Sequence, residues 1–296
     1  MKSMLYKLAM TPAPSGSEEK ICETIISMLP ESAKWEKDAH GTLIVHKEGE
    51  GDGIVILTAM DTPCLYVTYP EGGFSRFSAV GGAKPSEGMS VVCQGGKKGV
   101  IGKDEKGLYI DTGHETLEIG QWAVPTPSLE TIGNMCFGAS MGRYSAICAV
   151  IRALLSDTKK DVWFVFATKS NIRQLSPSFM QKIKANVLIS VDVSGANDAP
   201  AEKTVFAALG GGTALRVKDA GMISSLPLLE GLEAAPYKTF REVSILRGTG
   251  GDVQKAYGGI ESVSIGIPTR YLGHANEMVA LSDIENTAEL LKYYLK

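Results

Sequence analysis

Four short apolar runs, Thr42–His46, Gly53–Thr58, Val162–Thr168 and Val187–Val193, constrain this chain most. Each is a continuous stretch of mainly branched residues bounded by turn formers, the pattern of a strand covered on both faces. Helical patterns separate them. Arg143 to Leu155 puts Ile147, Val150, Ile151 and Leu154 on one stripe, and Ile21, Ile25, Met28 and Leu29 share a face behind Ser15 or Ser17 as N-cap, with Glu18 and Glu19 in the first turn. Ser176-Pro177 predicts a further helix start, and Ser282 with Glu285 forms a capping box for a last helix presenting Ile284, Leu291 and Leu295. Strands alternating with helices imply an α/β domain around a largely parallel sheet.

From about residue 63 to 133 the rhythm changes. The stretch is rich in glycine and holds only strand-like pieces, Leu65–Tyr69, Phe74–Val80, Met89–Cys93 and Leu108–Asp111. A small β domain at 63–133 is therefore expected, inserted into an α/β domain made of 1–62 and 134–296, with Phe74, Phe77, Tyr109 and Trp122 as its core. A chain of 296 residues with 44 % hydrophobic and 21 % charged residues has room for these two units. The net charge of −3 and the lack of any basic, aromatic-laced stretch argue against nucleic-acid binding. No run reaches the ~18 apolar residues of a membrane span, and Pro12 and Pro14 interrupt any signal-like N-terminus. Five cysteines without a C-x-x-C pair fit a reducing cytoplasm better than a disulfide framework.

Several blocks occur in a telling order: Pro14-Ser15-Gly16-Ser17-Glu18-Glu19, Asp38-Ala39-His40-Gly41-Thr42-Leu43-Ile44, Gly99-Val100-Ile101-Gly102, Leu108-Tyr109-Ile110-Asp111, and Ile267 to Val279. In this order the chain resembles the glutamyl or tetrahedral aminopeptidases, metallopeptidase family forty-two, whose members often carry endoglucanase or cellulase labels. The resemblance implies a zinc-peptidase-like (phosphorylase/hydrolase-like) three-layer α/β/α domain with an inserted small β-barrel, and large homo-oligomers enclosing their active sites. It also implies a pair of zinc or cobalt ions that activate water beside a glutamate base.

Mapped by that resemblance, the ligand positions of this chain are depleted. Thr58-Ala59-Met60-Asp61 has alanine, Ala59, in place of the first histidine, and leaves Asp61 without the imidazole it would orient. Ser140-Met141-Gly142-Arg143 places Met141 at the bridging aspartate, and a thioether does not bridge such cations. Ser170 and Asn171 stand where the base and ligand glutamates belong, and Gly273 where the last histidine belongs. Asp192 alone is retained as a metal ligand. His274 lies one residue from the lost position, so a shift of the loop could bring it in.

With the cations gone, Asp61 and Asp192 need positive partners, and Lys169, Arg143 and Arg173 are candidates. Asp252 falls in a Gly248 to Asp252 turn resembling one beside the substrate pocket of relatives; Gly210-Gly211-Gly212 reads as another tight turn. The leading reading is a non-catalytic member that binds a peptide or small molecule, or assembles with itself or with active family subunits, with no cofactor. The alternative is an active metal-dependent aminopeptidase with a site rebuilt around Asp192 and His274. A metal-free nucleophilic enzyme through Ser145, Cys148 or Ser170 with His274 is a third reading, although no nucleophile elbow surrounds those residues.

Overall fold

The computed structural model describes residues 1–296 other than 114, 173, 174 and 201–204 and the side chain of 257, so Arg173 lies outside the described residues. Strands Lys160–Ala167, Glu50–Ala59, Val187–Gly195 and Glu261–Arg270 lie side by side and parallel at the centre of an 11-stranded sheet. Antiparallel strands extend it on both sides, Leu43–Lys47 and Lys34–Lys37 at one edge and Glu277–Ala280, Met135–Gly138 and Glu130–Ile132 at the other. Thr213–Lys218 pairs antiparallel with Glu261–Arg270 and carries Thr239–Val243.

The period-two alternation of strand side chains splits the apolar runs between two layers. Along Glu50–Ala59, Ile54 and Ile56 pack on one face with the helices Met141–Leu154, Leu281–Tyr294, Lys2–Ala9 and Glu19–Ile26, and Val55 and Leu57 pack on the other with Phe179, Ile183 and Val253. This is a three-layer α/β/α domain. Met141–Leu154 is buried nearly all round, more than one apolar stripe predicts, because the sheet, Lys2–Ala9 and Leu281–Tyr294 enclose it. Among the described residues no helix is long and apolar enough to cross a membrane.

The predicted helix starts are corrected in detail. Neither Ser15 nor Ser17 caps Glu19–Ile26, whose N-cap is Glu18 without a side-chain bond; Ser15 donates to Asp61 instead. Ser282 and Glu285 form no capping box. The helix Leu281–Tyr294 begins earlier, Ser282 accepts from Asn134, and Glu285 pairs with Arg152. Ser176 does cap, but only a short 3-10 turn, Pro177–Gln181. For Ser15, Ser282 and Glu285 a tertiary partner offered the side chain a better bond than its own backbone did.

Six strands, Cys64–Glu71, Phe74–Val80, Ser90–Cys93, Lys98–Asp104, Gly107–Asp111 and Trp122–Pro125, close into a barrel inserted after Glu50–Ala59. The barrel ends at Pro125, and Glu130–Ile132 already belongs to the large sheet, so the boundary expected at 133 falls inside that sheet's edge hairpin. Its core is aliphatic, built on Leu65, Val67, Val91, Ile101 and Ile110, and of the four aromatics expected there only Phe77 packs against it. Tyr109 lies over Gly102 and packs against Phe74 with the two rings tilted by 48°, and the Arg76 guanidinium stands 5.5 Å from its ring centre.

Candidate functional site

Parallel strands end together, so the carboxyl ends of the central strands deliver their following loops to one edge of the sheet, where α/β proteins place ligands. There a cleft of about 380 Å³ opens between the sheet and the barrel loop 81–84. Arg143, Asp192, Asn171, Ser140, Thr249 and Lys84 are among its walls.

Asp192 sits on Val187–Gly195, buried, with both oxygens engaged. Oδ1 accepts from Arg143 Nη1 at 3.2 Å and Thr249 Oγ1 at 2.5 Å; Oδ2 accepts from Ser190 Oγ at 2.7 Å and the Thr249 N–H at 2.8 Å. The Gly248–Gly251 turn is thus a clasp on this carboxylate. Burial pushes Asp192 up, but Arg143, Arg216 and the Thr249 bonds outweigh it and hold the carboxyl below its ordinary range. Arg216, wholly buried beneath, pairs with Glu242 and donates to the Val193 carbonyl. No sequence pattern marked it.

Asp61, fully buried, has become a bracket for the loop that follows Lys160–Ala167. Its oxygens accept from the N–H groups of Ser170 at 3.1 Å and Asn171 at 2.8 Å and from Ser15 Oγ at 2.7 Å, and Asn171 Nδ2 returns a bond to the Asp61 carbonyl. Burial raises its carboxyl above the usual range, with Arg143 and these bonds opposing. Ser170 and Asn171 line the cleft; Ala59 and Met141 are sealed in the core.

Gly273 adopts φ +80, and a Cβ there would stand 2.1 Å from the Gly82 carbonyl oxygen. Its own carbonyl accepts from the Lys84 N–H at 2.7 Å, so the barrel loop occupies the space a side chain would need. Glu277 was not singled out in the sequence, yet it ties this corner together: Oε1 accepts from the Gly273 N–H at 2.8 Å and Oε2 from the Gly142 N–H at 2.9 Å. Asp252 lines the cleft paired with Arg247 at 2.5 Å. His274 is exposed and does not line this cleft; it borders a narrow crevice on the barrel side together with Ser140 and Glu277. Lys169 is half-buried, makes no ion pair among the described residues and does not line the cleft, so of the two expected cations that are described Arg143 is the one that reaches a carboxylate. Gly210 and Gly212 donate their N–H groups to Asp283, as a tight turn would.

Burial raises Glu277 above the ordinary carboxylate range, against the lowering effect of its two N–H bonds. The folded chain therefore holds this proton more tightly than the unfolded one, and the contribution of Glu277 to stability falls as pH rises above that range. Glu277→Gln lacks this dependence. Urea unfolding should show its deficit against the unmodified protein shrinking as the pH is raised above the ordinary carboxylate range. A deficit that stays constant would mean that Glu277 ionises as easily folded as unfolded.

A three-layer domain with an inserted barrel, and a cleft at the strand ends between them, defines the architecture of the tetrahedral aminopeptidases. The model of the M42 glutamyl aminopeptidase family matches residues 106–290. A proposed aminopeptidase of Acetivibrio thermocellus is 30 % identical, over 98 % of this chain and 97 % of its own. Among solved structures, aminopeptidase APDkam598 of Desulfurococcus kamchatkensis superposes with a TM-score of 0.92 at 22 % identity, covering 99 % of this chain and 93 % of that one. The TET1 peptidase of Pyrococcus horikoshii, which can assemble into a tetrahedron or a large octahedral shell, gives 0.85 at 23 % identity, covering 99 % and 98 %. This chain belongs to the M42 glutamyl aminopeptidase family.

Proposed function

We propose that this family member binds a peptide or small molecule in its cleft without a two-metal centre, and that it assembles as a homo-oligomer. The state of Asp192 carries the reading. An ionised carboxylate offers about four acceptor sites. The bonds from Arg143, Ser190 and the amide and hydroxyl of Thr249 use that capacity, and the Arg143 guanidinium brings the positive charge a cation would supply. Among the described residues no three His, Cys, Asp or Glu side chains converge closely enough to hold a metal ion. This donor set does not fit a pair of divalent cations, so no step of the two-metal reaction is assigned to it. Polar groups on the cleft wall, with Arg143, Lys84 and Arg247 as cations and Asp252 as an acid, suit a zwitterionic or carboxylate-bearing ligand. The shells formed by the Pyrococcus horikoshii relative support assembly of a chain with the same fold.

Elemental analysis of the purified protein, with a panel of aminoacyl chromogenic substrates assayed with and without added zinc or cobalt, tests this. The expected result is no stoichiometric metal and no metal-dependent release of N-terminal residues. Two bound equivalents with metal-dependent turnover would overturn it.

A further inference from the structure

Ser140 sits at the sharp turn between the strand Met135–Gly138 and the helix Met141–Leu154, with φ 55 and ψ 32. That left-handed conformation costs a serine roughly 1 kcal/mol, and its flanks are packed too tightly to relax. Two residues before it, a Cβ on Gly138 would lie 2.0 Å from the Ser128 carbonyl oxygen. Two residues after it, a Cβ on Gly142 would lie 2.7 Å from Val193 Cγ1 and 2.8 Å from Thr269 Oγ1. Gly138-Ala139-Ser140-Met141-Gly142 thus spells G-x-S-x-G in the strand, turn and helix setting that presents a nucleophilic serine.

Ser140 is only 8 % exposed, yet it lines the cleft. Its hydroxyl does not cap its own helix, and no side-chain hydrogen bond engages it among the described residues. It is therefore free to meet a group entering the cleft. The crevice bordered by Ser140 also holds His274 and Glu277, and imidazole is the side chain best suited to take a proton near neutrality.

We propose that Ser140 is an acyl-accepting nucleophile for esters or amides entering the cleft, with His274 as its base. The assignment goes beyond ligand binding and requires no metal. Ser140 Oγ bonds to the acyl carbon as its proton passes to His274. The bond to the leaving group breaks, and that group departs with the proton as an alcohol or amine. Water then attacks the acyl-serine, releasing the carboxylic acid and restoring the hydroxyl. Of the other nucleophiles considered, Ser145 is wholly buried inside the helix, burial pushes the Cys148 thiol up to about 12, and Ser170 lines the cleft on a loop rather than at a strand-to-helix turn.

The test is labelling of the full chain, in its native assembly, by a fluorophosphonate, read by intact mass and peptide mapping. One adduct at Ser140 is expected, absent from heat-denatured protein and from Ser140→Ala. Ser140→Gly, which accepts the left-handed turn without strain, should also stay unlabelled while its near-ultraviolet circular dichroism matches the parent. Ser140→Cys should move the reactivity to iodoacetamide. His274→Gln should slow labelling by about 10²-fold. No adduct on native protein, an adduct elsewhere, or undiminished labelling of Ser140→Ala would overturn the nucleophile; an unchanged rate in His274→Gln would overturn the base.

Discussion

Replacing Asp61 with alanine is expected to lower the unfolding free energy by about 3 kcal/mol. The carboxylate is fully buried and accepts from Ser15 Oγ and from the amides of Ser170 and Asn171. Alanine leaves three donors without their acceptor, Ser15 Oγ buried and the Ser170 and Asn171 amides part-buried beside the cleft, at up to about 1–3 kcal/mol each, while relief of the buried charge returns part of that sum. Ser15→Ala removes one donor and keeps the carboxylate, so about 1 kcal/mol is expected from it. Urea unfolding of the pair measures both. A loss below about 1 kcal/mol for Asp61→Ala would mean that the 168–171 loop is held by something other than this bracket.

Placing a histidine at Gly273 (Gly273→His) should destabilise the protein by about 2–4 kcal/mol and gain no bound zinc. The positive φ penalises any side chain, and the Cβ would stand 2.1 Å from a backbone oxygen, Gly82, that no rotamer change can move. Relief requires the 81–84 loop to withdraw, breaking the Lys84 N–H bond to the Gly273 carbonyl. Gly273→Ala should already show most of the cost, since the clash lies at Cβ. Thermal unfolding alongside metal analysis checks both parts. A stable variant that binds zinc would show that the loop yields easily and that only the imidazole was missing.

The two variants probe one packed corner. Asp61 holds Asn171, Asn171 lies against Gly81, and the same loop closes over Gly273. Changing one of these positions in isolation therefore conflicts with its neighbours.

Much of the architecture was legible because it rests on local periodicity. The runs at Gly53–Thr58 and Val187–Val193 became central parallel strands, and the glycine-rich stretch became a barrel. Helix starts were misread where a serine found a distant partner, as Ser15 did in Asp61. In the site, Asp192, Asp61, Arg143, Ser170, Asn171 and Gly273 could be named from motif order. Glu277 and Arg216 could not, since a single charged residue in an apolar segment does not announce its partners. Ser140 left a signal, the G-x-S-x-G spacing, that gains meaning only once the turn around it is seen.

The amino-acid order by itself determined the layered sheet, the inserted barrel and the family, because side-chain periodicity and turn chemistry act between near neighbours. Tertiary structure alone decided that Arg143 and Thr249 occupy the Asp192 carboxylate, that His274 borders the barrel-side crevice rather than the cleft, and that the barrel loop fills the space at Gly273. Those outcomes depend on ångström-scale distances between segments far apart in the chain, which only packing sets.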